Sequence, residues 1–308
     1  MADTDEILRD DRALPPRIAA QYPFPQIRVE LGTGARMHAA VVGQGEPVVL
    51  IHGNPTWSFL WRKLLPAIAE AGFQAIAPDH IGFGLSDKFL DESYYSIERH
   101  TENLGKFLDA RELSGITLVV HDWGGPIGLG WAGRNAARIK RLVILNTLAF
   151  PPKRDRPLSA WHAFFASSFG RAVNERTNLL LETALRFGVA KRSQMTGDIL
   201  DAYRFPFETK ATRVSQAAFV RMVPNGPDHP NALTMAAIQD NLLGLRDKPA
   251  IVLWGDADPI FPKHTAEKWR GPLPQLGELK HYPRGGHFLQ EDVPEELSRD
   301  LLAFLKSS

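Results

Sequence analysis

The 308-residue chain contains no cysteine, which excludes disulfide bonds and thiolate metal sites and fits a cytoplasmic protein. No apolar stretch approaches the length needed to cross a bilayer. The first residues are acidic and lack the basic and apolar regions of a signal peptide, so we expect a cytoplasmic protein without a membrane partner. The formal net charge is only +1. Because no lysine or arginine cluster resembles a nucleic-acid footprint, no nucleic-acid partner is expected either.

The composition is that of an ordinary globular enzyme, with 44% hydrophobic and 23% charged residues. The length exceeds that of a typical compact domain, which predicts one large domain with an insertion, or two domains. The histidines show no ligand spacing such as His-Glu-x-x-His, and no dinucleotide glycine fingerprint follows the first strand. The sequence therefore predicts neither a metal nor a cofactor.

Short β-rich runs alternate with helical segments along most of the chain. The predicted strands are 26–31, 37–42, 47–51, 73–77, 116–120, 139–145, 249–254 and 276–281. The predicted helices are 59–70, 97–110, one that follows the fifth strand and runs to about residue 135, and a closing helix over 294–306. This alternation predicts an α/β fold with a mostly parallel eight-stranded sheet flanked by helices on both faces.

Residues 151–230 interrupt that alternation. The segment opens with a proline-rich and charged stretch over 151–157, contains no strand–helix unit, and is rich in aromatic residues. Residues 178–189 carry apolar side chains at helical spacing instead. We interpret 151–230 as an α-helical lid (cap) domain inserted into a main domain formed by 1–150 and 231–308.

Asp122 lies where a strand is expected to turn sharply into a helix. The apolar run 116–120 precedes it, and residues 124–132 are rich in glycine and apolar side chains. Such a strand–turn–helix context is a nucleophile elbow, which exposes one side chain above the sheet. A small residue two positions later is a steric need of this turn, and Gly124 supplies it. A carboxylate at the elbow can attack carbon and form an ester with the substrate.

An acid and a histidine follow at the ends of later predicted strands, where ligands of open α/β sheets bind. His287 lies between a Gly-Gly turn and the closing helix, and the loop at 255–259 carries Asp256 and Asp258. The chain order nucleophile, acid, histidine is that of α/β-hydrolases. Either Asp256 or Asp258 could be the acid that would fix the tautomer of His287, and the resemblance described next favours Asp258.

Five stretches carry a resemblance to a known family. They are His-Gly-Asn-Pro-Thr-Trp-Ser at 52–58, Asp-His-Ile-Gly-Phe-Gly-Leu-Ser-Asp-Lys at 79–88, His-Asp-Trp-Gly-Gly at 121–125, Ala-Tyr-Arg-Phe-Pro-Phe at 202–207 and Gly-His-Phe-Leu-Gln-Glu-Asp at 286–292. In these motifs the chain resembles the haloalkane dehalogenase family of α/β-hydrolases over nearly its full length. Asp258 fits the acid that this family places after the seventh strand. The alternative place, after the sixth strand, reads Leu-Asn-Thr at 145–147 and holds no carboxylate.

The resemblance implies hydrolytic dehalogenation through a covalent intermediate. Asp122 would displace halide from an sp³ carbon, and His287 would then activate a water that cleaves the ester to a primary alcohol. Backbone N–H groups of Asn54 and Trp123 would form the oxyanion hole, and their side-chain N–H groups would bind the departing halide. The implied partners are a small halogenated aliphatic substrate, water and halide. A monomer or a small homo-oligomer is expected.

Several other functions share parts of this pattern. Epoxide hydrolases use the same Asp–His chemistry but typically two lid tyrosines, and residues 151–230 contain only Tyr203. A branch that acts on β-lactones would retain Asn54 and Trp123, and the Leu-Asn-Thr stretch resembles that branch. A fluoroacetate-type enzyme would show arginine after the nucleophile, and a serine esterase would show serine at the elbow. A non-catalytic ligand receptor is a further alternative, although all three triad residues are available.

Overall fold

The computed structural model describes residues 6–307. Within them the strands are β1 (Ile7–Leu8), β2 (Gln26–Glu30), β3 (Arg36–Val42), β4 (Glu46–Ile51), β5 (Phe73–Pro78), β6 (Lys88–Phe89), β7 (Ile116–His121), β8 (Ile139–Leu145), β9 (Ala250–Gly255) and β10 (Leu276–Tyr282). The α-helices are α1 (Pro16–Ala19), α2 (Leu65–Glu70), α3 (Ile97–Ala110), α4 (Gly124–Arg134), α5 (Ala160–Ala166), α6 (Ser168–Thr177), α7 (Leu179–Gly188), α8 (Gly197–Arg204), α9 (Val214–Arg221), α10 (Pro230–Asn241), α11 (Leu289–Asp292) and α12 (Pro294–Ser307). Short 3-10 helices cover Ser58–Trp61, Glu92–Tyr94, Ala136–Arg138, Arg192–Gln194, Phe205–Phe207, Ala211–Arg213, Leu242–Leu245 and Lys263–Arg270.

Eight strands form one sheet in the order β10-β9-β8-β7-β4-β5-β3-β2. The pairs β2–β3 and β3–β5 are antiparallel, and the other pairs are parallel. Every residue of the central strand β7 is buried, as expected for a parallel strand that helices cover on both faces. The predicted eight-stranded, mostly parallel sheet is therefore confirmed.

The predicted helix over 59–70 is wrong in its first half. The chain forms a 3-10 helix at Ser58–Trp61, and the α-helix α2 begins only at Leu65. Pro66 occupies the first turn of α2, a position that suits proline because it has no backbone N–H to donate there. The apolar residues of this stretch suggested one long helix, yet proline favours the first turn of a helix over its interior.

Residues 151–230, called the lid segment below, connect β8 to the region of α10. They contain α5 to α9 and, among the residues that the structure describes, no strand. Helix α10 then packs against α3 and α4 beside the sheet. The assignment of the lid segment as a separate domain stays a prediction. Across residues 6–307, no helix is long and apolar enough to span a membrane.

Two buried carboxylates of α11 bind the lid segment to the rest of the protein. Glu291 accepts hydrogen bonds from Arg62 Nη2 at 2.9 Å and from the Tyr203 hydroxyl, on α8, at 2.6 Å. Asp292 accepts the backbone N–H of Lys191 at 2.7 Å. A buried carboxylate is costly unless it is hydrogen-bonded or paired. The lid segment supplies a hydrogen bond to each of these carboxylates, whereas Arg62, the charge partner of Glu291, lies outside it.

Candidate active site

The turn between β7 and α4 places Asp122 in a backbone conformation that L-residues rarely adopt, with φ of 50°. A Cβ on Gly124 would lie 2.3 Å from the carbonyl oxygen of Ile51. The steric need for a glycine at this position, expected from the sequence, is thereby confirmed. A Cβ on Gly53 would lie only 2.1 Å from Asp122 Oδ1. The loop after β4 therefore approaches the Asp122 carboxylate so closely that it has room only for glycine.

The two oxygens of the Asp122 carboxylate have different surroundings. Oδ1 accepts the backbone N–H of Asn54 at 2.9 Å, and the backbone N–H of Trp123 also hydrogen-bonds to the carboxylate. Oδ2 lies 3.5 Å from His287 Nε2. Asp122 is 9% exposed and His287 only 1%, so the pair lies beneath the molecular surface.

His287 is oriented by Asp258. Its Nδ1 lies 2.9 Å from Asp258 Oδ2, while Nε2 has no hydrogen-bond partner within the described part of the chain. Asp258 is itself held by the side-chain amide of Asn146, whose Nδ2 donates to Oδ2 at 2.8 Å, and by the backbone N–H of Ile260, which donates to Oδ1 at 2.7 Å. A carboxylate fixed in this way can hold an imidazole in one orientation.

Asp256, the other acid of the same loop, lies in a different pair. Its Oδ1 is 2.6 Å from His281 Nδ1, and its Oδ2 accepts a hydrogen bond from Lys263 Nζ at 3.0 Å. The structure thus contains two adjacent Asp–His pairs, and Asp258 is the acid beside His287.

The charges of the site hold Asp122 and His287 as an ion pair. Burial alone would lower the pKa of His287, but the carboxylates of Asp258 and Asp122 outweigh it and raise the pKa to about 10. Burial alone would raise the pKa of Asp122, yet His287 and the backbone N–H groups around it bring the pKa below its ordinary value. The neighbouring His121 is neutral, because burial and the charge of His287 lower its pKa to about 3.

The side chains of Asn54 and Trp123 both meet helix α9 of the lid segment. Trp123 is half-buried and packs edge-to-face on Phe219, with ring centroids 5.5 Å apart. Asn54 Nδ2 donates to the backbone carbonyl of Gln216 at 3.3 Å. An amide –NH₂ group has two protons, so one donor of Asn54 stays available beside the carboxylate.

The phenol of Tyr203 does not take part in this arrangement. Its hydroxyl is fully buried and donates to Glu291, and burial beside that carboxylate raises its pKa well above the ordinary value. The one tyrosine of the lid segment therefore binds α11 and is not available as a proton donor to a substrate.

Two residues near the site were not singled out from the sequence as functional. Asn146, the asparagine of the Leu-Asn-Thr stretch at 145–147, donates a hydrogen bond directly to Asp258. His162 on α5 was not considered, although it interacts electrostatically with both Asp122 and His287. The only feature of the sequence that could have pointed to His162 was its place among the aromatic residues of the lid segment. Among residues 6–307, no three histidine or acidic side chains are grouped in a way that could hold a metal ion.

The sheet order, the elbow and the Asp122, His287 and Asp258 cluster define an α/β-hydrolase with an aspartate at the elbow. The family model described as alpha/beta hydrolase fold matches residues 46–294. The "Cis-3-alkyl-4-alkyloxetan-2-one decarboxylase" of Shewanella oneidensis is 39% identical over 88% of this chain and 86% of its own length. "Haloalkane dehalogenase 1" of Mycobacterium tuberculosis is 34% identical over 85% of this chain and 84% of its own.

Among solved structures, the tetrameric haloalkane dehalogenase DpaA of Paraglaciecola agarilytica superposes with a TM-score of 0.79. It is 25% identical, and the match covers 97% of this chain and 98% of that chain. The chain belongs to the haloalkane dehalogenase family of the α/β-hydrolases.

Proposed function

We propose that the protein is a haloalkane dehalogenase in which Asp122 displaces halide from an sp³ carbon. The observation that supports the proposal is that the two oxygens of the Asp122 carboxylate have different surroundings. Oδ1 accepts the backbone N–H of Asn54, while Oδ2 faces Nε2 of His287 at 3.5 Å. Oδ2 is therefore the attacking oxygen, and Oδ1 becomes the carbonyl oxygen of the alkyl ester.

Hydrolysis of that ester is the second step of the proposal. Nε2 of His287 takes a proton from a water molecule, which attacks the Asp122 carboxyl carbon. The negative charge then develops on Oδ1, which already accepts the backbone N–H of Asn54. The backbone N–H of Trp123 hydrogen-bonds to the same carboxylate. Donors that are in place before the charge develops are the most effective form of oxyanion stabilisation. Asp258 stabilises the imidazolium until the tetrahedral intermediate collapses and the alcohol leaves.

The leaving group in this proposal departs as an anion and needs no proton. A halide can be bound by the Trp123 indole N–H and the free proton of the Asn54 amide. An epoxide would instead leave an alkoxide on the substrate, which requires an acid. The Tyr203 hydroxyl already donates its proton to Glu291 and cannot serve as that acid. The site therefore favours a halide substrate over an epoxide.

Halide release from 1,2-dibromoethane and 1-iodobutane, measured beside hydrolysis of styrene oxide, tests the reaction class. We expect halide release and no epoxide hydrolysis. Asp122→Ala should abolish turnover, and His287→Phe should accumulate the alkyl ester, seen as a mass increase of the intact protein. His281→Phe is the matched control, since it removes the histidine of the neighbouring Asp–His pair. If His287→Phe gains no mass from either haloalkane, the covalent route is wrong.

A second candidate is the opening of a β-lactone ring, favoured by the 39% identity to the Shewanella oxetanone decarboxylase. Attack of Asp122 Oδ2 on ring carbon C4 would break the C4–O bond, and the bonding electrons would leave with the carboxylate. Loss of carbon dioxide from C3 could then form the alkene and expel the Asp122 carboxylate, without consuming water. A cis-3,4-dialkyl oxetanone distinguishes the two candidates, because this route yields an alkene and carbon dioxide rather than halide.

A further inference from the structure

His162 is a lid-segment histidine with a fixed orientation and an unoccupied ring nitrogen. It lies on α5, and its Nδ1 is 2.7 Å from the hydroxyl of Ser159. The same hydroxyl accepts the backbone N–H of His162 at 3.2 Å. Nε2 has no partner among the described residues, and the side chain is half-buried. Ser159 thus fixes one edge of the imidazole and leaves the other edge free.

Helix α5, which carries His162, packs against α9, the helix that covers part of the active site. Phe165, one helical turn further along the same face, lies in a small apolar cluster with Leu180 and Val220. Val220 belongs to α9, against which α5 packs. Helix α9 also contributes the Gln216 carbonyl that binds Asn54 and the Phe219 ring that packs on Trp123. The helix beside His162 is therefore the helix that covers both proposed halide donors.

The charges that reach His162 agree with this position. Asp122 and His287 both interact electrostatically with it, as does Arg156 from the stretch before α5. Burial is the largest effect and lowers the pKa of His162, so the ring is neutral near pH 7. If the Ser159 hydroxyl donates its proton to Nδ1, the single ring proton is on Nε2. A neutral imidazole of this tautomer donates a hydrogen bond but does not supply a proton.

We propose that His162 is a specificity-determining residue whose Nε2–H binds the carboxylate released when Asp122 opens a β-lactone. The inference rests on the proposed role of Asp122 as the nucleophile. It concerns the second candidate function, the opening of a β-lactone, in which the leaving group is a carboxylate. In this step the Asp122 Oδ2–C4 bond forms, the C4–O bond breaks, and its electron pair stays on the carboxylate. His162 keeps its proton throughout.

The number of hydrogen-bond donors explains why His162 would serve a carboxylate and not a halide. A halide is one atom, and the Trp123 indole N–H with one Asn54 amide proton provides two donors for it. A carboxylate has two oxygens and about four acceptor positions. Since Asn54 already gives one proton to Gln216, a third donor from the lid segment would serve the second oxygen. Hydrogen bonds to an ionised carboxylate are stronger than neutral ones, so this donor favours carboxylate over halide.

The test compares one set of variants on two substrates, a cis-3,4-dialkyl oxetanone and 1-iodobutane. His162→Phe keeps an aromatic ring but removes the donor, and His162→Gln restores an N–H. For His162→Phe we expect kcat on the oxetanone to fall by about 10- to 100-fold, the range for a hydrogen bond to a charged group. Halide release should change less than about threefold, within the scatter of surface substitutions. His162→Gln should recover part of the lactone activity.

Controls separate this inference from the proposal on which it depends. His264→Phe makes the same replacement at an exposed histidine and should change neither activity. Asp122→Ala should abolish both, and if it leaves lactone opening intact, the proposed nucleophile is wrong and not only the role of His162. If Asp122→Ala is inactive but His162→Phe slows both substrates equally, or neither, the specificity role of His162 is overturned. Melting temperatures of all variants identify a loss that reflects unfolding.

Discussion

Oδ2 of Asp122 and Nε2 of His287 lie 3.5 Å apart, and each group changes the charge state of the other. With Asp122 ionised, His287 is protonated at neutral pH because its pKa is about 10. Esterification removes the negative charge of Asp122 and, with it, one of the causes that raise the pKa of His287. The proposed first step therefore prepares the base for the second, since the histidine loses its proton more readily once the ester has formed.

Removal of the Asp122 charge should lower the pKa of His287. In Asp122→Asn the amide is close in shape to the carboxylate but carries no charge, so we expect the imidazole to titrate below its wild-type value of about 10. An NMR pH titration of the His287 ring measures this. The raised pKa also stabilises the folded protein below pH 6.5, and this contribution disappears as the pH rises through 10. A His287 pKa unchanged by Asp122→Asn would contradict the charge coupling.

Trp123→Leu should slow the departure of halide. The substitution removes the indole N–H and keeps an apolar side chain against Phe219. Loss of one preorganised donor of this kind costs about 3 kcal/mol in the transition state, or about 100-fold in rate. Single-turnover kinetics with 1-iodobutane measure the step directly. Since the backbone N–H of residue 123 remains, ester hydrolysis should be nearly unaffected, and an equal loss in both steps would contradict a halide role.

Gly53→Ala should inactivate the protein without unfolding it. The added methyl group would lie 2.1 Å from Asp122 Oδ1, so the carboxylate must turn away from the backbone N–H of Asn54. We expect loss of halide release together with a melting temperature within a few degrees of wild type. Gly197→Ala is the matched control, because nothing lies within 4 Å of its added Cβ. Retained activity in Gly53→Ala would show that the Oδ1 position is not required.

Tyr203→Phe should destabilise the protein while leaving the chemistry intact. The variant removes the hydrogen bond to buried Glu291, which still has Arg62 and Lys63 as partners. A hydrogen bond to a charged group contributes about 1.5–3 kcal/mol, so the free energy of unfolding in urea should fall by about that amount. Were the phenol a proton donor to substrate, turnover per folded molecule would fall as well.

The sheet and the elbow could be predicted from the sequence because their signals are local. Central strands such as β7 and β9 are short, mostly apolar runs. Helix α3 (Ile97–Ala110) and strand β8 (Ile139–Leu145) have the bounds that the pattern predicted. The position of Asp122 follows from the strand before it and Gly124 after it. The predicted helix over 59–70 was wrong in its first half, where the chain forms a 3-10 helix and the α-helix begins only at Leu65.

The contacts between distant segments could not be predicted in the same way. Two acids of the loop after β9 were compatible with a role beside His287, and the family resemblance favoured Asp258. The fold places Asp258 beside His287 and Asp256 beside His281. The positions of Asn146 and His162 depend on how β8 and α5 pack against the rest, which no local spacing encodes. The lone lid tyrosine was identified from the sequence, but its binding to Glu291 depends on the tertiary fold.

The four-residue helix α11 connects the active-site histidine to the lid segment. It begins two residues after His287, and its carboxylates bind Tyr203 and the backbone of Lys191 in the lid segment. Exchanging the lid segment between relatives would therefore also shift the His287 imidazole, unless residues 286–292 were exchanged together with the lid segment.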